Sequence, residues 1–255
     1  MRKEIIVFIC CLPVIVFAQE TIKVNGVKGK YFLSNDISPK QAKDLAIIEA
    51  KTEALRVAGV GETVSSSKVL ITTEGNQKVE QLFNNIATVE LSGAITSYKV
   101  DTIIEQKNEF NQTYYEAVIN AEVIKYKTKP DPSFNIQIEG IDKVYNKGND
   151  LKFECIPHMD GYLKIFQIAN NYAGLLYPNE YEKTNLLVKE QQIKFPIKKG
   201  LAYTLDDAES NTLVFVFTKK NIPFTGNQTI ESITEWIYKI SPDERQVQSF
   251  SFVVK

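Results

Sequence analysis

The clearest indication of architecture in this chain comes from two segments, DGYLKIFQI at residues 160–168 and GLLYPN at residues 174–179. Both are rich in aliphatic and aromatic residues that suit strands, and Asp160-Gly161 and Pro178-Asn179 are typical of turns. The pattern predicts two neighbouring strands that end in a Tyr-Pro-Asn turn. Residues 162–168 and 212–217 are largely apolar on both faces, which predicts that both strands are central in a sheet.

The flanking segments alternate apolar with polar residues, as half-buried strands do. This alternation covers residues 134–138, 151–155, 193–197 and 250–254. Many short strands separated by turn residues predict an all-β, immunoglobulin-like sandwich over residues 133–255. A late helix at residues 229–238 carries isoleucines on one face, and we expect that face to pack on the sandwich.

The order of motifs in this half resembles the domain-of-unknown-function family 4384. The resemblance rests on Asn149-Asp150-Leu151, Asp160-Gly161-Tyr162-Leu163, Leu175-Leu176-Tyr177-Pro178-Asn179, and Phe215-Val216-Phe217 followed by Asn221-Ile222-Pro223. It covers roughly residues 133–223. It implies an accessory module of bacterial envelope proteins and brings no catalytic residues. The additional helix and the strand at residues 246–255 depart from the family's pattern.

The upstream half mixes helices with strands. Ser38-Pro39 followed by Gln41 predicts a capped helix start, and Gly59 and Gly61 predict its end near Ala58. Alanines recur every fourth residue at positions 42, 46, 50, 54 and 58, so the helix can lie close to a sheet. A second stripe of Leu45, Ile48, Thr52 and Leu55 is either a partner-binding face or, as we favour, a face covered within the same module.

Further elements complete a predicted α+β module of two helices on a small, mostly antiparallel sheet, at residues 19–128. They are a short strand at Val69 and Ile71, an amphipathic helix, and a long hairpin at residues 95–104 and 114–124. The helix has Val79, Leu82, Phe83, Ile86 and Ala87 on one face. Two prolines in residues 127–133 predict the boundary between the modules.

The upstream half resembles the N-terminal module of flagellar assembly protein T and related envelope lipoproteins. The residues concerned are Gln41-Ala42-Lys43-Asp44-Leu45-Ala46, Leu91-Ser92-Gly93-Ala94-Ile95 and Tyr115-Glu116-Ala117-Val118. The resemblance implies a structural or assembly role.

The N-terminus predicts export. Arg2 and Lys3 precede an apolar run at residues 5–17 that is too short to span a bilayer, and Val16-Phe17-Ala18 suits signal peptidase. We expect a signal peptide at residues 1–18; the alternative is a retained anchor. The chain has 30 basic and 31 acidic residues, and loss of Arg2, Lys3 and Glu4 leaves a net charge of about −2. Nucleic acid is therefore not an expected partner.

Catalytic and metal-binding patterns are weak. Cys155 and His158 form a single Cys-x-x-His pair, whereas zinc needs three or four ligands. Cys155 is the only cysteine after leader removal, so no intramolecular disulfide is expected. Asp206-Asp207 and Glu180 with Glu182 lack the spacing of a dedicated calcium loop. We expect no catalytic residues, metal or cofactor.

One group of residues remains as a candidate binding site. Tyr162, Phe166, Tyr177 and Asn179 could form a groove for a glycan or peptide, with Tyr172 and Tyr181 nearby. The alternative interpretation is that these aromatics form core and lock the turn. Asp101-Thr102-Ile103 also resembles a short O-glycosylation signal of some envelope bacteria.

The sequence as a whole favours a non-enzymatic protein of the bacterial periplasm or cell surface that acts as an interaction or assembly module. A glycan- or peptide-binding module is the alternative.

Overall fold

The computed structural model describes residues 20–60, 82, 83, 86, 92–169 and 172–255. Within these residues the fold is α+β and rich in strands, as predicted. The predicted signal peptide, the strand at Val69 and Ile71, and the helix residues Val79 and Ala87 lie outside the described residues. Leu82, Phe83 and Ile86, from the same predicted helix, are helical and buried.

Residues 20–60 and 92–125 of the upstream half form a long helix and a three-stranded antiparallel sheet in the order β1–β3–β2. The predicted capping box is confirmed: Gln41 N–H donates to Ser38 Oγ at 3.3 Å, and Ser38 N–H donates to Gln41 Oε1 at 2.9 Å. The elements are β1 (Glu20–Phe32), α1 (Pro39–Val57), β2 (Gly93–Lys107) and β3 (Thr113–Lys125).

The alanine ridge of α1 lies against β1 and β3, as its spacing predicts. Ala42, Ala46, Ala50 and Ala54 are fully buried. The approach is closest at Gly29 of β1, where a Cβ atom would lie 2.0 Å from the backbone nitrogen of Ala50. A glycine is therefore required at this contact.

The downstream half contains two further sheets. A three-stranded antiparallel sheet has the order β10–β6–β4, and a larger sheet has the order β5–β12–β11–β7–β8, with β9 also paired to β7. The strands are β4 (Ile136–Glu139), β5 (Val144–Tyr145), β6 (Phe153–Pro157), β7 (Gly161–Ala169), β8 (Tyr172–Tyr177), β9 (Leu186–Leu187), β10 (Ile193–Phe195), β11 (Ser210–Thr218) and β12 (Arg245–Val254).

The strand β11 occupies the central place that its two apolar faces predict, between β12 and β7. Leu213, Phe215 and Phe217 on one face join a core shared with the smaller sheet, which supplies Phe153 and Phe195. Val214 and Val216 on the other face join a second core. The large sheet is thus buried on both faces, which explains its near-continuous apolar strands.

The second core joins the two halves of the chain. Helix α2 (Ile230–Tyr238) covers the large sheet with Ile233, Trp236 and Ile237, which confirms the predicted position of the late helix. Leu82, Phe83 and Ile86, from the upstream half, belong to the same core. The C-terminal strand β12, whose role the sequence left open, pairs with β11 and β5.

Candidate functional site

The four residues of the predicted groove do not converge on one exposed surface. Phe166 and Tyr177 are fully buried, on opposite faces of the large sheet. Phe166 packs edge-on against Trp236 and Phe224, whereas Tyr177 packs edge-on against Phe195. Tyr162 and Asn179 are partly buried. The placement agrees better with core and turn-locking roles than with a groove.

The Tyr177-Pro178-Asn179 segment forms a tightly bonded turn with a cis peptide bond before Pro178. The Tyr177 hydroxyl donates to the carbonyl oxygen of Thr184. Asn179 Oδ1 accepts from the backbone N–H groups of Tyr181 and Glu182, both at 2.9 Å, in the manner of an Asx turn. The turn is thus fixed by side chains that the sequence suggested as ligand contacts.

Glu182 is the centre of this network. Its Oε2 accepts from Asn179 Nδ2 at 3.1 Å and from the Tyr203 hydroxyl, and its Oε1 accepts from the backbone N–H groups of Ile197 and Lys198. Burial alone would raise the pKa of Glu182, but these four donors outweigh it and hold the pKa below the usual value. The carboxylate therefore ties the β8–β9 loop to the β10–β11 loop in its charged form.

The residues considered for catalysis or metal binding do not form a site together. Cys155 is fully buried, and burial raises the pKa of its thiol to about 12, so this cysteine is an unreactive core residue. His158, Asp206 and Asp207 are exposed. Within the described residues, no group of three or more His, Cys, Asp and Glu side chains could hold a metal ion.

A cleft of about 600 Å³ lies where the edges of β4 and β12 meet, with His158 at its rim. Two side-chain amides bridge these edges: Ile136 N–H donates to Gln246 Oε1, and Gln248 Nε2 donates to the Ile136 carbonyl oxygen, both at 2.7 Å. These two amides already bond the N–H and the carbonyl oxygen of Ile136, which a bound strand would need for pairing with β4. The cleft is thus partly closed to a peptide.

The end of β3 is bonded to α2. The Tyr126 hydroxyl donates to the Tyr238 carbonyl oxygen at 2.6 Å. The buried guanidinium of Arg245 donates to the Ile237 carbonyl oxygen and lies 5.4 Å and 5.9 Å from the rings of Tyr126 and Tyr238. The last carbonyl groups of a helix carry partial negative charge, so Arg245 stabilises the end of α2. We call this contact the junction.

A second contact between α2 and the upstream half involves charged groups. Lys51 Nζ of α1 lies 3.4 Å from the ring centre of Tyr98 in β2, a cation–π contact. Burial raises the pKa of Tyr98 to about 12, and the nearby carboxylates of Glu231 and Glu235 in α2 add to this effect. Burial lowers the pKa of Lys51 to about 8, although Glu231 and Glu235 oppose this effect. Lys51 therefore loses its proton earlier in the folded protein than in the unfolded chain.

The lowered pKa of Lys51 makes the free energy of unfolding depend on pH. Above about pH 8 the unfolded chain binds more protons at Lys51 than the folded protein does, so stability should rise with pH. We expect the free energy of unfolding of the wild type to rise by about 1–2 kcal/mol relative to that of Lys51→Met between about pH 7 and 9, where most tyrosines keep their proton. Urea unfolding across this range measures the difference, with Lys40→Met at the exposed start of α1 as control. If the free energies of unfolding of wild type and Lys51→Met change with pH in parallel, the pKa of Lys51 is not lowered in the folded protein.

The second stripe of α1 is covered rather than open. Ile48 and Leu55 are buried, and Leu45 and Thr52 are partly buried. This favours the interpretation that the stripe packs within the protein.

An exposed apolar surface of the upstream half lies at the far end of the β2–β3 hairpin. Residues 101–105 of β2 are all exposed, in contrast to the largely covered residues 93–98. Ile103, Ile104 and Phe110 are 37%, 45% and 75% exposed. Phe110 is at the tip, in a loop ordered by Asn108 Oδ1, which accepts from the N–H groups of Phe110 and Gln112. We call residues 101–107 the open half of β2.

One feature of the sequence points to this surface. Ile103 and Ile104 are adjacent, so one of them must point away from the helix-covered face of the sheet. Thr102 is exposed, as the O-glycosylation signal requires, and its modification stays a prediction.

In the described part of the chain, every helix is too short or too polar to cross a membrane. Comparison of the chain with protein-family models and with curated proteins finds no match to either. The resemblances to family 4384 and to flagellar assembly protein T therefore remain predictions.

Proposed function

We propose that this protein is an exported, non-enzymatic component of the bacterial envelope, in the periplasm or at the cell surface, that acts by binding other proteins. In this proposal a two-helix α+β module is joined to an immunoglobulin-like sandwich. The basic and apolar leader pattern at residues 1–18 supports export. No cofactor takes part.

The observation that carries the proposal is the open half of β2 together with the hairpin tip. Ile103, Ile104 and Phe110 expose apolar surface beside β2, which is an edge strand of the sheet formed by the described residues. Proteins usually guard such edges, because they pair readily with another strand. The opposite end of the hairpin is held by α2 and the junction, so the open half projects from an anchored base.

The glycan- or peptide-binding alternative has weaker support. Two of its four residues, Phe166 and Tyr177, are fully buried on opposite faces of a sheet. A ligand could reach them only after the core opened.

Site-specific photo-crosslinking tests the proposal. A photoreactive amino acid in place of Phe110 should give discrete protein adducts in intact envelopes, because this position lies at the proposed contact. The same group at Asp207, exposed in the other half of the chain, serves as control. Adding Ile104→Lys should reduce the Phe110 adducts several-fold, since a charge replaces apolar contact area. Absence of adducts at Phe110, or equal adducts at both positions, would contradict the proposal.

A further inference from the structure

A groove of about 630 Å³ lies where the small sheet β10–β6–β4 meets the loop between β10 and β11. This volume is typical of ligand-binding clefts. The loop contributes apolar surface through Pro196 and Leu201, which are partly exposed. The sheet contributes Phe153 and Phe195, whose rings are stacked with their centres 4.9 Å apart. The groove therefore offers a ligand some apolar contact.

Positive charge predominates in this groove. Four exposed lysines line it, two from the sheet side and two from the loop: Lys152, Lys194, Lys198 and Lys199. We call it the lysine groove. Its acidic residues are Glu139 and Glu154, so positive charges outnumber negative ones here, although the whole chain has 30 basic and 31 acidic residues. A cleft lined mainly by one sign of charge concentrates ligands of the opposite sign.

Both glutamates of the lysine groove already have partners, whereas two of its lysines have no acidic partner. Glu154 pairs with Lys194 Nζ at 3.0 Å, and Glu139 Oε1 accepts a hydrogen bond from the side-chain amide two residues earlier on β4. In the described part of the chain, neither Lys198 nor Lys199 belongs to an ion pair. An anion can therefore gain two ion pairs here without breaking an existing one.

The loop that carries these two lysines is held in place by Glu182. The backbone N–H groups of Ile197 and Lys198 both donate to Glu182 Oε1, and the N–H of Leu201 donates to the Lys198 carbonyl oxygen at 3.1 Å. A surface whose backbone is already ordered loses less conformational entropy when a ligand binds. Glu182 is thus a positioning residue for the lysine groove.

The side chains of the lysine groove indicate the chemical class of its ligand. None of the described residues that line it carries a hydroxyl, a side-chain amide or an imidazole, so sugar hydroxyls would find few directional partners. Single-stranded nucleic acids gain affinity by stacking on exposed aromatic rings, but Phe153 and Phe195 are each only 2% exposed. Lysines bind as point charges, without the fixed bidentate geometry of arginine. The lining therefore favours a flexible chain that carries carboxylates beside apolar groups.

We propose that the lysine groove binds an acidic segment of another protein. Carboxylates of the segment pair with Lys198 and Lys199, and an apolar side chain between them contacts Pro196 and Leu201. Contacts between exposed charges are individually weak and are screened by salt, so we expect a modest affinity that falls as ionic strength rises. The groove and the open half of β2 belong to different halves of the chain, so this inference goes beyond the proposed function.

Fluorescence anisotropy of a labelled peptide, with one leucine between two pairs of glutamates, tests the inference on the purified full chain. We expect a dissociation constant of about 1 mM or below at low ionic strength. Lys198→Ala together with Lys199→Ala should raise it about five- to tenfold, because both new ion pairs are lost. Arginine at both positions keeps the charge and should leave it within about twofold.

The matched control is Lys40→Ala together with Lys99→Ala. Both lysines are exposed in the upstream half, so this variant has the same net charge as the groove variant and should bind the peptide like wild type. Circular dichroism checks that each variant is folded. Replacing the glutamates of the peptide with glutamine should abolish binding, and replacing its leucine with glycine should weaken binding, because apolar contact area is lost.

Three results would overturn the inference: no binding of the acidic peptide, equal losses for the groove variant and its control, or tighter binding of a thymidine oligonucleotide with the same charge as the peptide. If the peptide fails to bind while Phe110 still gives protein adducts in intact envelopes, the lysine groove is wrong and the proposed function stands. If the peptide binds as expected while Phe110 gives no adducts, the proposed function fails and the lysine groove stands.

Discussion

Gly29→Ala is expected to destabilise the protein by about 3 kcal/mol or more, the upper part of the range for overpacking a close contact. A Cβ atom at this position would lie 2.0 Å from Ala50 N, 2.7 Å from Ala50 Cα and 2.3 Å from the Ala46 carbonyl oxygen. These obstructing atoms belong to the backbone of α1, so no side-chain rotation can relieve the clash. The helix must move away from β1, and the buried alanine ridge then loses its contacts.

Urea unfolding of Gly29→Ala and of Gly26→Ala separates this clash from the general cost of replacing glycine. Gly26 belongs to the same strand and has open space around its Cα, but its φ of +66° makes alanine there mildly strained. We expect Gly26→Ala to cost about 1 kcal/mol. Ala50→Gly should not rescue Gly29→Ala, because the clash is with the backbone of residue 50. Equal losses for the two glycine variants would show that α1 does not approach β1 closely.

The close approach at Gly29 illustrates what sequence patterns could predict. The recurrence of alanine every fourth residue indicated a helix that lies near a sheet, and Ser38 with Gln41 indicated where the helix starts. Both signals are local and periodic, and both were confirmed. The partner glycine on β1 could not be identified, because a single glycine in a strand has several possible causes.

The sequence patterns could not predict contacts between segments that are distant along the chain. Leu82, Phe83 and Ile86 were correctly predicted to share one buried face, yet nothing in their spacing indicated that this face contributes to a core with α2 and the large sheet. Arg245 gave no signal either, since its role depends on Tyr126 and the end of α2. Long-range packing is set by the tertiary structure and not by local period.

The candidate binding residues show a different limit. Aromatic residues beside a turn are typical of both grooves and cores, and composition cannot separate the two. The bonded turn around Tyr177 and the core around Phe166 distinguish them only when burial is known. Glu182, first considered with Glu180 as a calcium pair, lies at the centre of the hydrogen-bond network instead.

Glu182→Ala should cost about 3–5 kcal/mol, the range for removing one partner of a buried charged network. The substitution leaves the Tyr203 hydroxyl, the Asn179 amide and the N–H groups of Ile197 and Lys198 without their acceptor. Each buried donor left unpaired carries a desolvation penalty. Glu180→Ala is the matched control, because Glu180 is exposed two residues away, and we expect it to change stability by less than about 0.5 kcal/mol.

Glu182→Gln separates the effect of the negative charge from the effect of side-chain size, because glutamine has nearly the same shape as glutamate. Its amide keeps one acceptor oxygen but sets its NH2 group against the same donors, so we expect a loss between those of the control and Glu182→Ala. The lowered pKa of Glu182 also fixes the sign of a pH effect. A group with a depressed folded pKa stabilises the protein above its unfolded pKa and loses this contribution as pH falls towards the folded pKa.

The advantage of wild type over Glu182→Gln should therefore be constant near neutral pH and shrink below the ordinary carboxyl value of 4.5. Thermal unfolding of wild type, Glu182→Gln and Glu180→Ala from neutral pH down to about pH 3 measures this advantage. A Glu182→Ala loss no larger than that of Glu180→Ala would show that the carboxylate does not hold the two loops together. An advantage that persists unchanged at acid pH would show that Glu182 is not bound in its charged form.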